Sequence, residues 1–119
     1  MTKPLAIIIE DDPQLNTIMS ITLQADFEIE AFAHGDAGLE RLKQTIPNVV
    51  VLDLNLPGAS GKEILQSIRM DKRLSKTKII LTTADERQAE TLREEADLIL
   101  LKPVSPSQLK ELALRLRTI

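Results

Sequence analysis

Three carboxylates, Glu10, Asp11 and Asp12, follow directly on the apolar run that ends Ile7, Ile8 and Ile9. Two like charges about 4 Å apart repel by roughly 4 kcal/mol at an effective dielectric near 20, so such a cluster either faces water or holds a cation. A further acid, Asp53, interrupts "VVVL" and precedes "LNLPGASG", in which Pro57, Gly58 and Gly61 shape a loop. Thr83 closes another apolar run and Lys102 the next. Asp11, Asp53 and one backbone carbonyl can hold a hard cation, and Mg²⁺ suits a site of few carboxylates completed by water and phosphate oxygens. Once the oxygens of an incoming phosphoryl group are neutralised, Asp53 becomes a nucleophile for phosphoryl transfer. Thr83 can then donate a hydrogen bond to the product, and Lys102 can pair with it. Taken one at a time the signals are weaker. Asp12 before Pro13 reads as a helix cap, Thr83 as a strand-end threonine, and Glu10 and Lys102 as solvated loop residues.

Such a constellation needs a scaffold that brings distant segments to one edge. Four apolar runs, "LAIII" (Leu5 to Ile9), "VVVL" (Val49 to Leu52), "KIIL" (Lys78 to Leu81) and "LILL" (Leu98 to Leu101), suit strands buried on both faces of a parallel sheet. A fifth, "FEIEAFA", alternates Phe27, Ile29 and Ala31 with Glu28 and Glu30, the pattern of an exposed edge strand. Between them the spacing predicts five helices. Asp12 and Pro13 start the first, with Leu15, Ile18, Met19 and Leu23 as its stripe. Asp36 caps the second, which carries Leu39, Leu42 and Ile46 and stops before Pro47. The third spans Lys62 to Met70, the fourth covers "DERQAETLREE", and the last runs from Ser105 to Arg117.

Alternating strands and helices with short connections imply right-handed crossovers and a doubly wound α/β sheet. The flavodoxin-like (βα)5 order 2-1-3-4-5 puts the alternating second strand at an edge, and ligands of such sheets bind outside the carboxyl ends of the strands at the switch point. Glu10, Asp11, Asp53, Thr83 and Lys102 all fall on that edge.

With 119 residues, 43% of them hydrophobic, and no repeat or linker, the chain is expected to form a single domain over residues 1–119 with a real core. The absence of cysteine excludes disulfides, thiolate metal sites and a cysteine nucleophile. No apolar run approaches the roughly 20 residues of a membrane helix, and the sequence reads as soluble and cytoplasmic. A net charge of -3, with acids and bases interspersed, offers no stripe for phosphate backbones, so direct nucleic-acid binding is not expected. The aromatics are Phe27 and Phe32 alone, which leaves little for base or flavin stacking.

The motifs "IIIEDD", "VVVLDLNLPGASG", "IILTTA" and "LLKPVSP" together make the sequence resemble the receiver domain of two-component response regulators over essentially its whole length. The resemblance implies that Asp53 is the phosphoacceptor, charged by a sensor histidine kinase, a phosphotransfer protein or a small phosphodonor. It implies that Asp11 ligates Mg²⁺ directly, Glu10 through water, and Asn55 through its main-chain carbonyl. Thr82 and Thr83 compete for the switch hydroxyl, and Thr83, which precedes Ala84, has the family's separation from Asp53. Lys102 matches the phosphate-pairing lysine, before a proline bond that is often cis. The family's output surface, formed by the fourth helix, fifth strand and fifth helix, implies an output domain, a partner protein or a homodimer. Two departures stand out. Ile99 occupies the place three residues before Lys102 where an aromatic is usual, and the segment between Ala84 and Lys102 is shorter than is usual. Both favour a second reading, an interaction module that signals independently of phosphorylation. A haloacid-dehalogenase-like phosphatase fits less well, because the acid it needs two residues after its nucleophile is Asn55 here.

Overall fold

The computed structural model describes residues 3–117. Five parallel strands, β1 (Leu5–Ile9), β2 (Glu28–Phe32), β3 (Val49–Asp53), β4 (Lys78–Thr83) and β5 (Leu98–Leu101), lie in the order β2-β1-β3-β4-β5. Helices α1 (Pro13–Leu23), α2 (Gly35–Leu42), α3 (Gly61–Met70), α4 (Glu86–Thr91) and α5 (Pro106–Leu116) connect and cover them, and a short 3-10 turn at Lys72–Leu74 follows α3. This is the doubly wound arrangement expected from the alternation of apolar runs and helical stripes.

Successive strand residues point to opposite faces, so each central strand feeds two cores. Ala6, Ile8, Val51 and Ile80 pack with Met19 and Leu23 of α1 and Leu109 and Ala113 of α5. Ile7, Val50, Leu52, Ile79 and Leu81 pack with Ile64, Leu65 and Ile68 of α3 and Leu42 of α2. Each fully buried aliphatic side chain contributes about 1.5–3 kcal/mol, and Phe27 adds one buried aromatic ring to the α1/α5 side of an otherwise aliphatic core. Asp12 caps α1, its Oδ1 accepting the Gln14 N–H at 3.0 Å, and Pro13 takes the first helical position.

Four elements differ from the sequence reading. In α1, Ile18 is 46% exposed, because Leu15, Met19 and Leu23 already complete the buried stripe. The second helix ends at Leu42, and Ile46 is 59% exposed; the residue before a proline is pushed out of helical geometry. His34, not Asp36, occupies the N-cap of α2, and the Asp36 carboxylate instead accepts the Ala59 N–H at 3.2 Å. The fourth helix is confined to Glu86–Thr91. Glu94 and Glu95 would have placed acid at its C-terminal end, against the helix dipole. The short passage from α4 to β5 is instead tied down by Arg69 of α3. Its guanidinium donates to the carbonyls of Glu95 (2.7 Å) and Thr77 (3.3 Å) and to Asp97 Oδ2 (3.0 Å). Asp97 Oδ2 also accepts the Ile79 N–H at 2.8 Å. Edge strand β2 departs from strict alternation: Ala31 is exposed, whereas Glu30 is half-buried and ion-paired with Arg41.

Candidate functional site

The carboxyl ends of β1, β3, β4 and β5 converge as a parallel register requires: Ile9 pairs with Leu52, Asp53 with Thr82, and Thr83 with Leu101. Glu10, one residue beyond β1, is 1% exposed, and so is Asp53 at the end of β3. Asp11 beside them is exposed. One carboxylate oxygen from each of Glu10, Asp11 and Asp53 lies within 4.8 Å of the other two.

Lys102 answers part of this charge. Its Nζ stands 3.1 Å from Glu10 Oε1 and 3.2 Å from Asp53 Oδ2, bridging two buried carboxylates. Its own N–H donates to the Thr83 carbonyl at 2.8 Å, and the Lys102–Pro103 bond is cis. Apart from that ion pair, Glu10 Oε1 and Asp53 Oδ2 have no hydrogen-bond partner among the described residues. Burial pushes the Glu10 carboxyl up to about 7, with the neighbouring Asp53 acting in the same direction; the Asp12 N–H on Glu10 Oε2 (3.1 Å) and the Lys102 ammonium oppose it. For Lys102, burial disfavours the charged form, but Glu10 and Asp53 outweigh it and raise its pKa.

Close contacts shape the loops around this cluster. Asp53 Oδ1 accepts the Asn55 N–H at 3.1 Å, turning the chain immediately after β3. Gly61, first residue of α3, lies so close to the Asp53 carbonyl and Leu54 Cα that a methyl group there would overlap both. Gly58 has a φ of +78°, which glycine adopts without steric penalty. On the β1 side, Asn16 Nδ2 donates to the Glu10 carbonyl (2.9 Å) and the Phe32 carbonyl (3.1 Å), holding α1 against two strand ends.

Thr82 and Thr83 are both fully buried, on opposite faces. The Thr83 hydroxyl accepts the Asp85 N–H at 3.1 Å and lies 3.5 Å from Gln88 Oε1, which places it at the start of α4. Thr82, in register with Asp53, has a hydroxyl without a hydrogen-bond partner among the described residues. Asn55 is exposed beyond Asp53. Asn16 and Gln88 escape a reading of the sequence, since a single amide in a helix carries no signal of the strand end it will reach.

Three acids of hard oxygen donors within 4.8 Å of one another, with one ammonium set between two of them, form a donor set that fits a small divalent cation. The chemistry such a pocket supports is attack by a strand-end carboxylate on an electrophile whose negative oxygens are met by cations.

Comparison with known proteins bears on the family and the fold. The family model described as the response regulator receiver domain matches residues 6–114. The phosphate regulon transcriptional regulatory protein PhoB of Rhizobium meliloti is 31% identical over 89% of this chain and 48% of its own length. The transcriptional regulatory protein BaeR of Escherichia coli is 33% identical over 98% of this chain and 48% of its own. The chain thus spans about half the length of these curated relatives. Among solved structures, the response regulator protein TrrA of Thermotoga maritima in complex with Mg²⁺-BeF superposes with a TM-score of 0.84 at 29% identity, covering 98% of this chain and 99% of TrrA.

Proposed function

The chain belongs to the response regulator receiver domains of two-component signalling, and from that premise we propose that Asp53 is its phosphoacceptor, with residues 1–119 acting as one receiver domain. The observation that carries this reading is the Lys102 ammonium held between Glu10 and Asp53 beside the exposed carboxylate of Asp11. A carboxylate oxygen of Asp53 attacks the phosphorus of an acyl phosphate or a phosphohistidine. An O–P bond forms, and the P–O bond to the carboxylate leaving group, or the P–N bond to imidazole, breaks with its electron pair. The product is an aspartyl phosphate. Lys102 turns from Asp53 to the phosphoryl oxygens, and the Thr83 hydroxyl leaves Asp85 and Gln88 to donate to the same group. Asp11 and Asp53, the Asn55 carbonyl, and Glu10 through water, would hold Mg²⁺, which supplies charge neutralisation for the transferring oxygens when bound. The protein acts on its own aspartate and has no separate substrate to turn over.

The phosphodonor is the phosphohistidine of a sensor kinase or a phosphotransfer protein, and the domain works in the cytoplasm. No helix of the described residues is long and apolar enough to cross a membrane. The added charge, about -1.5 to -2 by analogy with other phosphoryl groups, biases a two-state domain. Its readout is the face of α4, β5 and α5, toward an output domain, a partner protein or a second copy. PhoB and BaeR are transcriptional regulators by name; in this chain any contact with DNA would belong to a separate output domain.

Acetyl phosphate with Mg²⁺, read by intact mass, tests the assignment. Wild type gains one phosphoryl group and Asp53→Asn gains none; a gain retained in Asp53→Asn would overturn it. Half-buried Ile99 and the single short helix α4 favour one other reading, an interaction module whose partner affinity is the same with and without phosphate. Amide exchange across residues 83–104 separates the two: exchange that changes on phosphorylation supports the switch, and a phosphorylated protein with unchanged exchange supports the module.

A further inference from the structure

Thr82 is the residue of this site that the phosphoacceptor chemistry has not used. It is 0% exposed, and its Oγ1 is one of the few buried side-chain polar atoms with no hydrogen-bond partner among the described residues. Two of the others, Glu10 Oε1 and Asp53 Oδ2, face only the Lys102 ammonium. The register explains the coincidence. Asp53 and Thr82 are direct partners across β3 and β4, and strands stand about 4.8 Å apart. Asp53 has the parity of Val51, Thr82 that of Ile80, and Glu10 that of Ala6 and Ile8; all of these aliphatic residues face α1 and α5. Glu10, Asp53 and Thr82 therefore form one row on one face, at the carboxyl edge. A valine would fill the same volume as Thr82 without burying a hydroxyl, and a buried donor without a partner is destabilising.

We propose that Thr82 is a positioning residue for the acceptor carboxylate. In the present state Lys102 holds Asp53 Oδ2 at 3.2 Å. When Lys102 turns to an incoming phosphoryl group, that oxygen loses its ammonium partner, and the Thr82 hydroxyl, by rotation about its Cα–Cβ bond, becomes its donor. Thr82 and Thr83 then divide the work: Thr83 on the α4 side meets the phosphoryl group, and Thr82 on the α1/α5 side holds the carboxylate that carries it. This inference rests on Asp53 being the phosphoacceptor.

The test compares the rate of phosphorylation by acetyl phosphate with Mg²⁺ in wild type, Thr82→Val, Thr82→Ser and Asp53→Asn, together with the thermal midpoint of each. Thr82→Val is expected to react about tenfold more slowly, the rate equivalent of one hydrogen bond to a charged acceptor, while Thr82→Ser stays near wild type. The midpoint of Thr82→Val should equal or exceed that of wild type, because the substitution removes an orphaned hydroxyl and keeps the volume. Slower transfer in a protein at least as stable, rescued by serine, is a signature that packing alone does not produce. Wild-type rates in Thr82→Val, or failure of serine to restore them, would overturn the proposal. Phosphate retained on Asp53→Asn would instead overturn the underlying assignment, and the inference with it.

Discussion

Replacing Asp53 by asparagine should make the metal-free protein more stable while abolishing its chemistry. At pH 8 Glu10, whose pKa is raised to about 7, is mostly ionised. Asp53 then faces two like charges, each within 4.8 Å, and a pair at that separation repels by about 3.5 kcal/mol at an effective dielectric of 20. Lys102 at 3.2 Å returns about 5 kcal/mol on the same scale. The acids win by about 2 kcal/mol, before the desolvation of a nearly inaccessible carboxylate is counted. Asparagine keeps the oxygen that accepts the Asn55 N–H and leaves Lys102 paired with Glu10. Urea unfolding in chelator at pH 8 should therefore show Asp53→Asn more stable by about 2 kcal/mol, with a midpoint raised by roughly 8 °C in a thermal scan. Added Mg²⁺ should reverse the order. A ligand at a hundred times its dissociation constant stabilises by about 2.7 kcal/mol, and the variant, which lacks one anionic ligand, should gain less than about 0.7 kcal/mol. A variant less stable than wild type in chelator, or two proteins that respond equally to Mg²⁺, would show that the cluster is not under electrostatic strain.

Glu10 gives the metal-free protein a pH dependence of unusual sign. Its pKa is raised in the fold from 4.5 to about 7, so the folded state binds the extra proton and stability falls as pH rises from about 4.5 to 7. Each tenfold gain in proton affinity on folding is worth about 1.4 kcal/mol, which makes the loss on the order of 3 kcal/mol; Glu10→Gln should flatten this slope in denaturant titrations, and an unchanged slope would refute it. Lys102→Met leaves two buried carboxylates unpaired and should destabilise the chelated protein by about 3 kcal/mol, the low end for a broken buried pair because Glu10 readily takes a proton. Mg²⁺ should restore part of that loss, measured as a larger metal-induced rise in thermal midpoint than wild type shows. Gly61→Ala should lower stability by about 1–3 kcal/mol and slow phosphorylation, since the new methyl pushes on the Asp53 carbonyl; a silent substitution would mean that the β3–α3 loop yields freely.

The sheet is legible in the sequence because its signals are local. Short β-branched runs such as Val49 to Leu52 state burial on both faces, and polar residues at their ends mark the edge where ligands meet such sheets. The acidic cluster follows from that alone. The bridging position of Lys102 does not, because it depends on β5 lying in register with β4, a relation between segments that share no local pattern. The facing of Thr82 and Thr83 lies between these cases: strand alternation assigns them to opposite sides once Ile80 and Leu81 are assigned to their cores, but which hydroxyl lacks a partner depends on Asp85 and Gln88. Helix ends are less legible where two effects compete. Ile46 fits the apolar stripe of α2 yet precedes Pro47, and the acids after Thr91 fit helical composition yet oppose the dipole.

The Arg69 clamp gives the switch a mechanical character. Asp97 and Arg69 pin the amino ends of β4 and β5 to α3, while Thr83 and Lys102 sit at the opposite ends of the same two strands. The pair is therefore tied to α3 at its amino end and to β3 along β4, with the site at its carboxyl end. The four residues of β5 put about 13 Å between the clamp and the site. Whatever reads this domain should contact the end remote from that clamp, near Leu101 and the start of α5, where the site lies.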